Sequence, residues 1–514
     1  MRGRWARRRV VEPDFDVGVV GFGPVGALLA NLLGRYGLRV LVLERDAEIH
    51  PLPRAVHFDG EVMRVFQAAG LAGAVAEVAR ATSKGMHFVN AAGETLMVRR
   101  STDGPGPHDW ATNWYFHQPE LDAALRKGVA RLANVDVRLR HEATAVRDAG
   151  DHASVTVRDA ATGATQALTA RYVVGCDGAR SLVRDVIGAT MQDLGLHQPW
   201  LVVDVVADPR SERARQLPDY TVQHCDPRRP MTRVHVKGTR HRWEIMLMPG
   251  EDEAQVVKPA RVWALLAGAI GPDDARIERA AVYTFHSLVA APWRRGRLLL
   301  AGDSAHQTPP FLGQGMCAGI RDASNLAWKL RMVVAGAADP ALLDTYEAER
   351  GPHVRDFIEL AVRLGAIIQA TDPEVAKARD AEFRAGGPER FDFPQPRLGP
   401  GVWLEGSPAC GVVFPQPRLA DGRRLDEVAG SRFALLSLLP FDDRGRSTVD
   451  GRRDGLDLAV IDAPGPAVAE WLAGREAVAV IVRPDRYVFA TARDTAGIHR
   501  ALAELATRLR RATR

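Results

Sequence analysis

The chain has 514 residues, 46% hydrophobic and 25% charged, a globular composition long enough for two or three domains with their own cores, which excludes a disordered or fibrous protein. Its net charge of +5 would suit a nucleic-acid binder. However, Arg2, Arg4, Arg7, Arg8 and Arg9 account for that excess, so the remainder is neutral and no nucleic-acid partner is expected. No run of about 18 apolar residues occurs, so no membrane span is expected.

Residues 1–13 read as a disordered basic tail: Val10 and Val11 are followed at once by Glu12, Pro13 and Asp14, which is no secretory signal, and a cytoplasmic protein is expected. Residues 15–20 form an apolar, β-branched run, followed by Gly21-Phe-Gly23-Pro24-Val25-Gly26 and an Ala/Leu-rich helical segment to Tyr36. A second strand at 39–44 ends in Glu44, eighteen residues after Gly26. Strand, tight turn, helix, strand and terminal acid in this register make a dinucleotide fingerprint. Gly21 allows the turn, Gly23 removes a side chain that would block a pyrophosphate, and Gly26 brings the helix close to the strand. The helix N-terminus offers free N–H groups to the phosphates, and Glu44 suits the adenosine ribose.

Further along stand Pro53-Arg54-Ala55, then His57-Phe-Asp59 ahead of a helix at 61–69, then His117-Gln118-Pro119 at a helix start. Asp59 reads either as a base or as that helix's N-cap. His57, with an ordinary pKa near 6.5, could relay a proton. After a strand at 170–175 comes Cys176-Asp177-Gly178, and after a strand at 297–301 comes Gly302-Asp303, followed by Pro310 and by Gly313-Gln-Gly315-Met316 at the head of a helix. Between these two motifs, strands are expected at 200–207, 220–224, 232–237 and 242–248. Arg233, His235 and Arg242 lie on them and are the cations available to a substrate carboxylate. A Gly/Pro-rich, charged stretch at 376–400 reads as a linker. Cys176, Cys225, Cys317 and Cys410 show no CxxC, so neither a disulfide framework nor a metal site is expected.

The three glycine and aspartate motifs together resemble those of the group A flavoprotein aromatic hydroxylases, most closely the 3-(3-hydroxyphenyl)propionate hydroxylases. The resemblance implies an α/β fold: a Rossmann-like FAD-binding domain (14–190 and 285–375), an interleaved mixed-sheet substrate domain of the p-hydroxybenzoate hydroxylase type (191–284, with segments near 80–115), and a thioredoxin-like C-terminal domain (401–514) without CxxC. It assigns Gly21, Gly23, Pro24, Val25, Gly26, Glu44 and Arg45 to FAD, so that Arg45 is no NADP signal. It also assigns Arg54, Gln118, Asp177, Gly178, Gly302, Asp303, Pro310, Gly313, Gly315 and Met316 to the cofactor site. Asp59 resembles the phenol-activating acid of phenol hydroxylases.

In such enzymes NADH or NADPH reduces the flavin, O2 adds at its C4a carbon, and the hydroperoxide oxygen attacks a phenolic ring. A small aromatic phenol is therefore the expected partner of a monomer or homodimer. A hydroxylase tailoring a polyketide or other aromatic natural product remains open, as does a non-catalytic flavin-binding protein. A second GxGxxG unit, expected of a flavin disulfide reductase, is missing.

Overall fold

The computed structural model describes residues 12–387, 389–391, 395–440 and 457–510. Residues 1–11 of the expected basic tail lie outside them.

The β-branched run Phe15–Val20 is the hub of an eight-stranded sheet. It pairs in parallel with Val40–Glu44 on one side and Thr165–Gly175 on the other. Val135–Leu139 and Leu298–Leu300 extend the parallel core outward. Because these strands run the same way, their carboxyl ends bring the Gly21 turn, Cys176-Asp177-Gly178 and Gly302-Asp303 to one edge, where an open α/β sheet receives its ligand. Helices Pro24–Arg35 and Gly315–Val334 pack against each other there, with long buried faces.

A nine-stranded sheet stands beside the first. Its spine is the antiparallel pair Thr190–Ala207 and Ala275–Ala291, followed in order by Arg240–Met246, Met231–Lys237 and Thr221–Cys225. Met86–Asn90 and Thr95–Arg99 then join it from an early part of the sequence. One face packs on helix Pro259–Leu266 through Leu201, Val203, Trp243 and Ile245. The opposite face turns toward the parallel sheet.

The stretch 376–400, expected as a linker, begins instead inside the helix Pro373–Gly386. Asp372 caps this helix through the Glu374 and Val375 amides, with Pro373 in its first turn, a favourable start that outweighs the Gly/Pro content further on. Arg379 then stitches it to the nine-stranded sheet by donating to the Cys225 and Ile367 carbonyls at 2.8 and 2.9 Å. Residues Glu389–Phe391 add a strand beside Thr95–Arg99.

The C-terminal strands run in spatial order Leu458–Asp462, Phe433–Ser437, Ala479–Val482, Val488–Ala492. The first pair is parallel and the others antiparallel, with helices Pro466–Ala473 and Thr495–Arg510 completing a thioredoxin-like arrangement. Buried charge docks this unit on the rest. Arg64, on helix Gly60–Ala68, donates to both Asp426 oxygens at 2.7 and 2.8 Å. Glu349, fully buried, accepts from Arg483, Lys329 and Asn325 at 2.7–2.9 Å. Among the described residues no helix is long and apolar enough to cross a membrane.

Candidate active site

A cavity of about 300 Å³ opens where the two sheets face each other. Its first wall is built from loops at the carboxyl edge of the parallel sheet. Gly21 has φ +101°, and a Cβ there would stand 2.4 Å from the Cys176 carbonyl oxygen. A Cβ on Gly26 would stand 2.1 Å from the Gly21 carbonyl oxygen. Gly23, in contrast, has open space where its side chain would be. So two of the three glycines are demanded by the protein's own backbone, and the third leaves a cradle. The helix at Pro24 begins there with no side-chain cap and no acid in its first turn, so its N–H groups and positive dipole end stay available to an anion. Helix Gly315–Val334 begins at the cavity in the same uncapped way.

Pro24, Val25, Arg54, Gln118, Gly178 and Asp303 line this wall, together with Pro310, Gly313, Gly315 and Met316. Gln118 also holds the Arg54 loop in place: its side-chain oxygen accepts from the Arg54 and Ala55 amides at 2.7 and 2.8 Å. Glu44 lies behind the glycine turn, accepting from Phe22 and Asp46 amides at 2.9 and 3.0 Å. Arg45 is exposed at the surface beside Asp46. The Asp177 carboxylate is engaged by Ser181 at 2.5 Å and the Val183 amide at 3.2 Å, so it shapes the turn while Gly178 meets the cavity. Gly302, at φ +68°, donates its N–H to Asp322, which His306 and Arg350 hold in the core. Asp322 lies within helix Gly315–Val334.

The second wall comes from the nine-stranded sheet and is where tertiary structure departs from expectation. Side chains alternate along a strand, so the parity of position decides which face each one takes. Thr232 and Val234 face the cavity, and Arg233 and His235 therefore point away. Arg233 donates to the Pro218 and Tyr220 carbonyls, and His235 stacks on His241 with ring centroids 4.7 Å apart. Arg242 shares the cavity-side parity but is fully engaged. Its guanidinium donates to Asp204 at 2.8 Å and to the Pro53 and Arg54 carbonyls at 2.6 Å. None of the three cations expected to bind a substrate carboxylate reaches the cavity.

In their place the wall carries Thr221, Gln223, Thr232 and Glu244, joined by Tyr115 from the central strand, Asn113–Phe116, of a separate three-stranded sheet. None of these was singled out in the sequence, although the i, i+2 pairing of 221 with 223 was the signal available.

Asp59, which reads either as a base or as a helix cap, takes the cap position in the structure. It caps helix Gly60–Ala68 through the Val62 amide at 3.0 Å and pairs with Arg321 at 2.7 Å. It does not line the main cavity. Burial pushes its pKa up, but the Arg321 charge and the Val62 amide outweigh that and leave it at about 2. A carboxylate so held is a poor proton acceptor.

His57 does line the cavity. Its Nε2 lies 3.1 Å from the Asn113 side-chain oxygen, which also accepts from Arg99 at 2.6 Å. Burial, with the Arg99 charge adding to it, lowers the His57 pKa to about 4, so the imidazole is neutral at pH 7.

This geometry fits a dinucleotide lying along the loop wall and a ring against the sheet wall. The model of the FAD binding domain family matches residues 14–361. The chain belongs to that family. A probable NADH-specific resorcinol 4-hydroxylase from Rhodococcus jostii (strain RHA1) is 38% identical over 94% of this chain and 92% of its own. A 3-(3-hydroxy-phenyl)propionate/3-hydroxycinnamic acid hydroxylase from Burkholderia cenocepacia (strain HI2424) is 36% identical over 96% and 97%. Among solved structures, the flavin-dependent monooxygenase PieE, in complex with FAD and substrate, superposes with a TM-score of 0.81 at 23% identity, covering 97% of this chain and 100% of that one. The FAD-binding chain thus shares the fold of flavin monooxygenases along nearly its whole length.

Proposed function

We propose that the chain is a single-component monooxygenase that hydroxylates a small phenolic ring, using FAD, O2 and NADH. The observation that carries this reading is a cavity walled on one side by flavin-type loops and on the other by strands presenting hydroxyl, amide and carboxylate groups. The Rhodococcus and Burkholderia relatives are both named for single-ring phenols, and the former's name supports NADH as the electron donor.

Bound FAD supplies the chemistry by which electrons from NADH activate O2 for transfer to the ring. The chain's own residues bind and orient. The open cradle at Gly23 and the uncapped helix at Pro24 would receive the pyrophosphate, and Glu44, at the end of the next strand behind that turn, would serve the ribose. Arg54 and Asp303, which line the same wall, would hold the central part of the cofactor. The head of helix Gly315–Val334, uncapped at the cavity, would offer its N–H groups to the flavin ring and favour negative charge on it. Neutral His57 stands at the end of the cavity next to Gly313, where a Cβ would fall 2.9 Å from its Nδ1. It offers the ring a hydrogen-bonding group without adding charge. A cytoplasmic site suits the need for NADH.

The test is NADH oxidation by FAD-loaded protein across simple phenols, phenolic acids and polycyclic phenols, with product masses measured. A product one oxygen heavier from a single-ring phenol is expected. Flavin binding without phenol-dependent turnover would overturn the reading.

A further inference from the structure

The sheet wall holds an acid that the glycine and aspartate motifs do not account for. Glu244 lies on strand Arg240–Met246, directly opposite Thr232 in the register, and lines the cavity although the residue is only 8% exposed. Among the described residues no donor hydrogen-bonds to its carboxylate. Its neighbour Thr232 gives its hydroxyl to the Gln223 side-chain oxygen. Its nearest cation, Arg242, stands 3.7 Å away with its donors directed at Asp204 and at the Pro53 and Arg54 carbonyls. A buried carboxylate normally finds donors, and leaving it without them is costly.

The charge balance around it favours the ionised form. Asp204 pairs with both Arg242 and Arg279, so two guanidinium groups face two carboxylates only when Glu244 carries its charge. Burial works against that by raising the Glu244 pKa, with Arg242 opposing. The rest of the sheet wall is neutral: Tyr115 and Thr221 bond to each other at 2.6 Å, and Gln223 and Thr232 form a second pair. Arg233 and His235 point away, and Arg99 is fully buried behind His57 with bonds to Asn113 and the Leu312 carbonyl.

Resting on the hydroxylase reading above, we infer that Glu244 accepts the hydrogen bond of a ring hydroxyl and makes the enzyme select uncharged, hydroxylated rings over phenolic acids. A phenol O–H supplies the donor that the carboxylate lacks, and this charge-assisted bond also draws electron density toward the phenolic oxygen, which activates the ring. A substrate carboxylate in the same space would face a like charge with no free cation on that wall.

The experiment uses FAD-loaded enzyme and follows ligand binding through the flavin absorbance, separately from turnover. The ligands are resorcinol, 3-(3-hydroxyphenyl)propanoate and the primary amide of that acid. The amide should bind at least about tenfold more tightly than the carboxylate, and Glu244→Gln should weaken resorcinol by about tenfold. The same variant should narrow the amide–carboxylate gap, with flavin content and circular dichroism showing that the fold is kept. Equal or tighter binding of the carboxylate by the unaltered enzyme overturns the assignment, and this arm needs no variant. Unchanged resorcinol binding in a well-folded Glu244→Gln enzyme also overturns it. Either result leaves the hydroxylase reading standing if phenols are turned over. Absence of turnover with every phenol instead removes that reading, while the absorbance titration still reports the preference.

Discussion

At the scale of single residues, backbone demands and buried charges decide which substitutions matter. Gly21→Ala places a Cβ at 2.4 Å from the Cys176 carbonyl oxygen on a backbone at φ +101°, a combination of clash and left-handed strain costing on the order of 1–3 kcal/mol or more. The purified variant should melt lower and carry little FAD, read from the ratio of flavin to protein absorbance. Asp59→Asn keeps a helix cap but leaves Arg321 with only Glu61 as its anionic partner. Stability should drop by about 3–5 kcal/mol, while the kcat per bound flavin is maintained, because Asp59 does not line the cavity. The pH dependence follows from its depressed pKa of about 2. The stabilisation is present above the unfolded value near 3.9 and is lost as pH falls toward 2. Urea melts of the unaltered and Asp59→Asn proteins should therefore converge as the pH falls from 4 to 2.

At the scale of elements, the cofactor wall depends on two helices meeting closely. Gly319, in helix Gly315–Val334, leaves no room for a side chain: a Cβ would stand 2.5 Å from Val25 and 3.0 Å from the Gly302 backbone. Gly319→Val should push this helix away from both the glycine turn and the Gly302 loop. The expected outcome is FAD affinity reduced by at least about tenfold, since the displaced N–H groups no longer meet the ligand. Equilibrium titration of the apoprotein with FAD measures it. The nine-stranded sheet carries a different lesson about legibility. Its strands were readable from β-branched runs, but the charges at 233 and 235 drew attention to the wrong parity. Thr232 and Val234 line the cavity instead. The helix at 373–386 was hidden because its Asp-Pro start precedes a Gly-rich end, and its role in bridging to Cys225 is a long-range contact.

At the scale of the whole molecule, buried charge and buried imidazole set the response to mutation and acid. Arg483→Met removes two hydrogen bonds to Glu349 and leaves that fully buried carboxylate with Lys329 as its cation, beside Asn325 and the Val402 amide. A loss of about 3–5 kcal/mol is expected, together with faster proteolysis at the C-terminal unit. His57 and His108 are both buried and have pKa values lowered to about 4, by burial first and then by Arg99 and Arg64 respectively. They are neutral in the fold but charged in the unfolded chain below about 6.5, so their contribution is complete above pH 6.5 and is lost as pH falls to 4. Each is worth on the order of 3 kcal/mol across that window. Thermal melts should show the midpoint falling between pH 6.5 and 4, with His108→Gln giving a shallower fall.

The sequence by itself determined the cofactor half of this protein. A dinucleotide turn is a local object: strand, glycines, helix and terminal acid must be adjacent in the chain to work, so residues 15–44 could be read directly. The same holds for the turns at Gly178 and Gly302, where glycine stands at positive φ. Only the tertiary structure decided the substrate half. Tyr115, Gln223, Thr232 and Glu244 come from four separate strands: register within the nine-stranded sheet aligns the last three, and packing of the three-stranded sheet beside it adds Tyr115. It also decided Asp59, which was open between base and cap until Arg321, distant in sequence, closed on it at 2.7 Å. Strand parity and long-range charge pairing arise from packing among distant segments, so no local pattern encodes them.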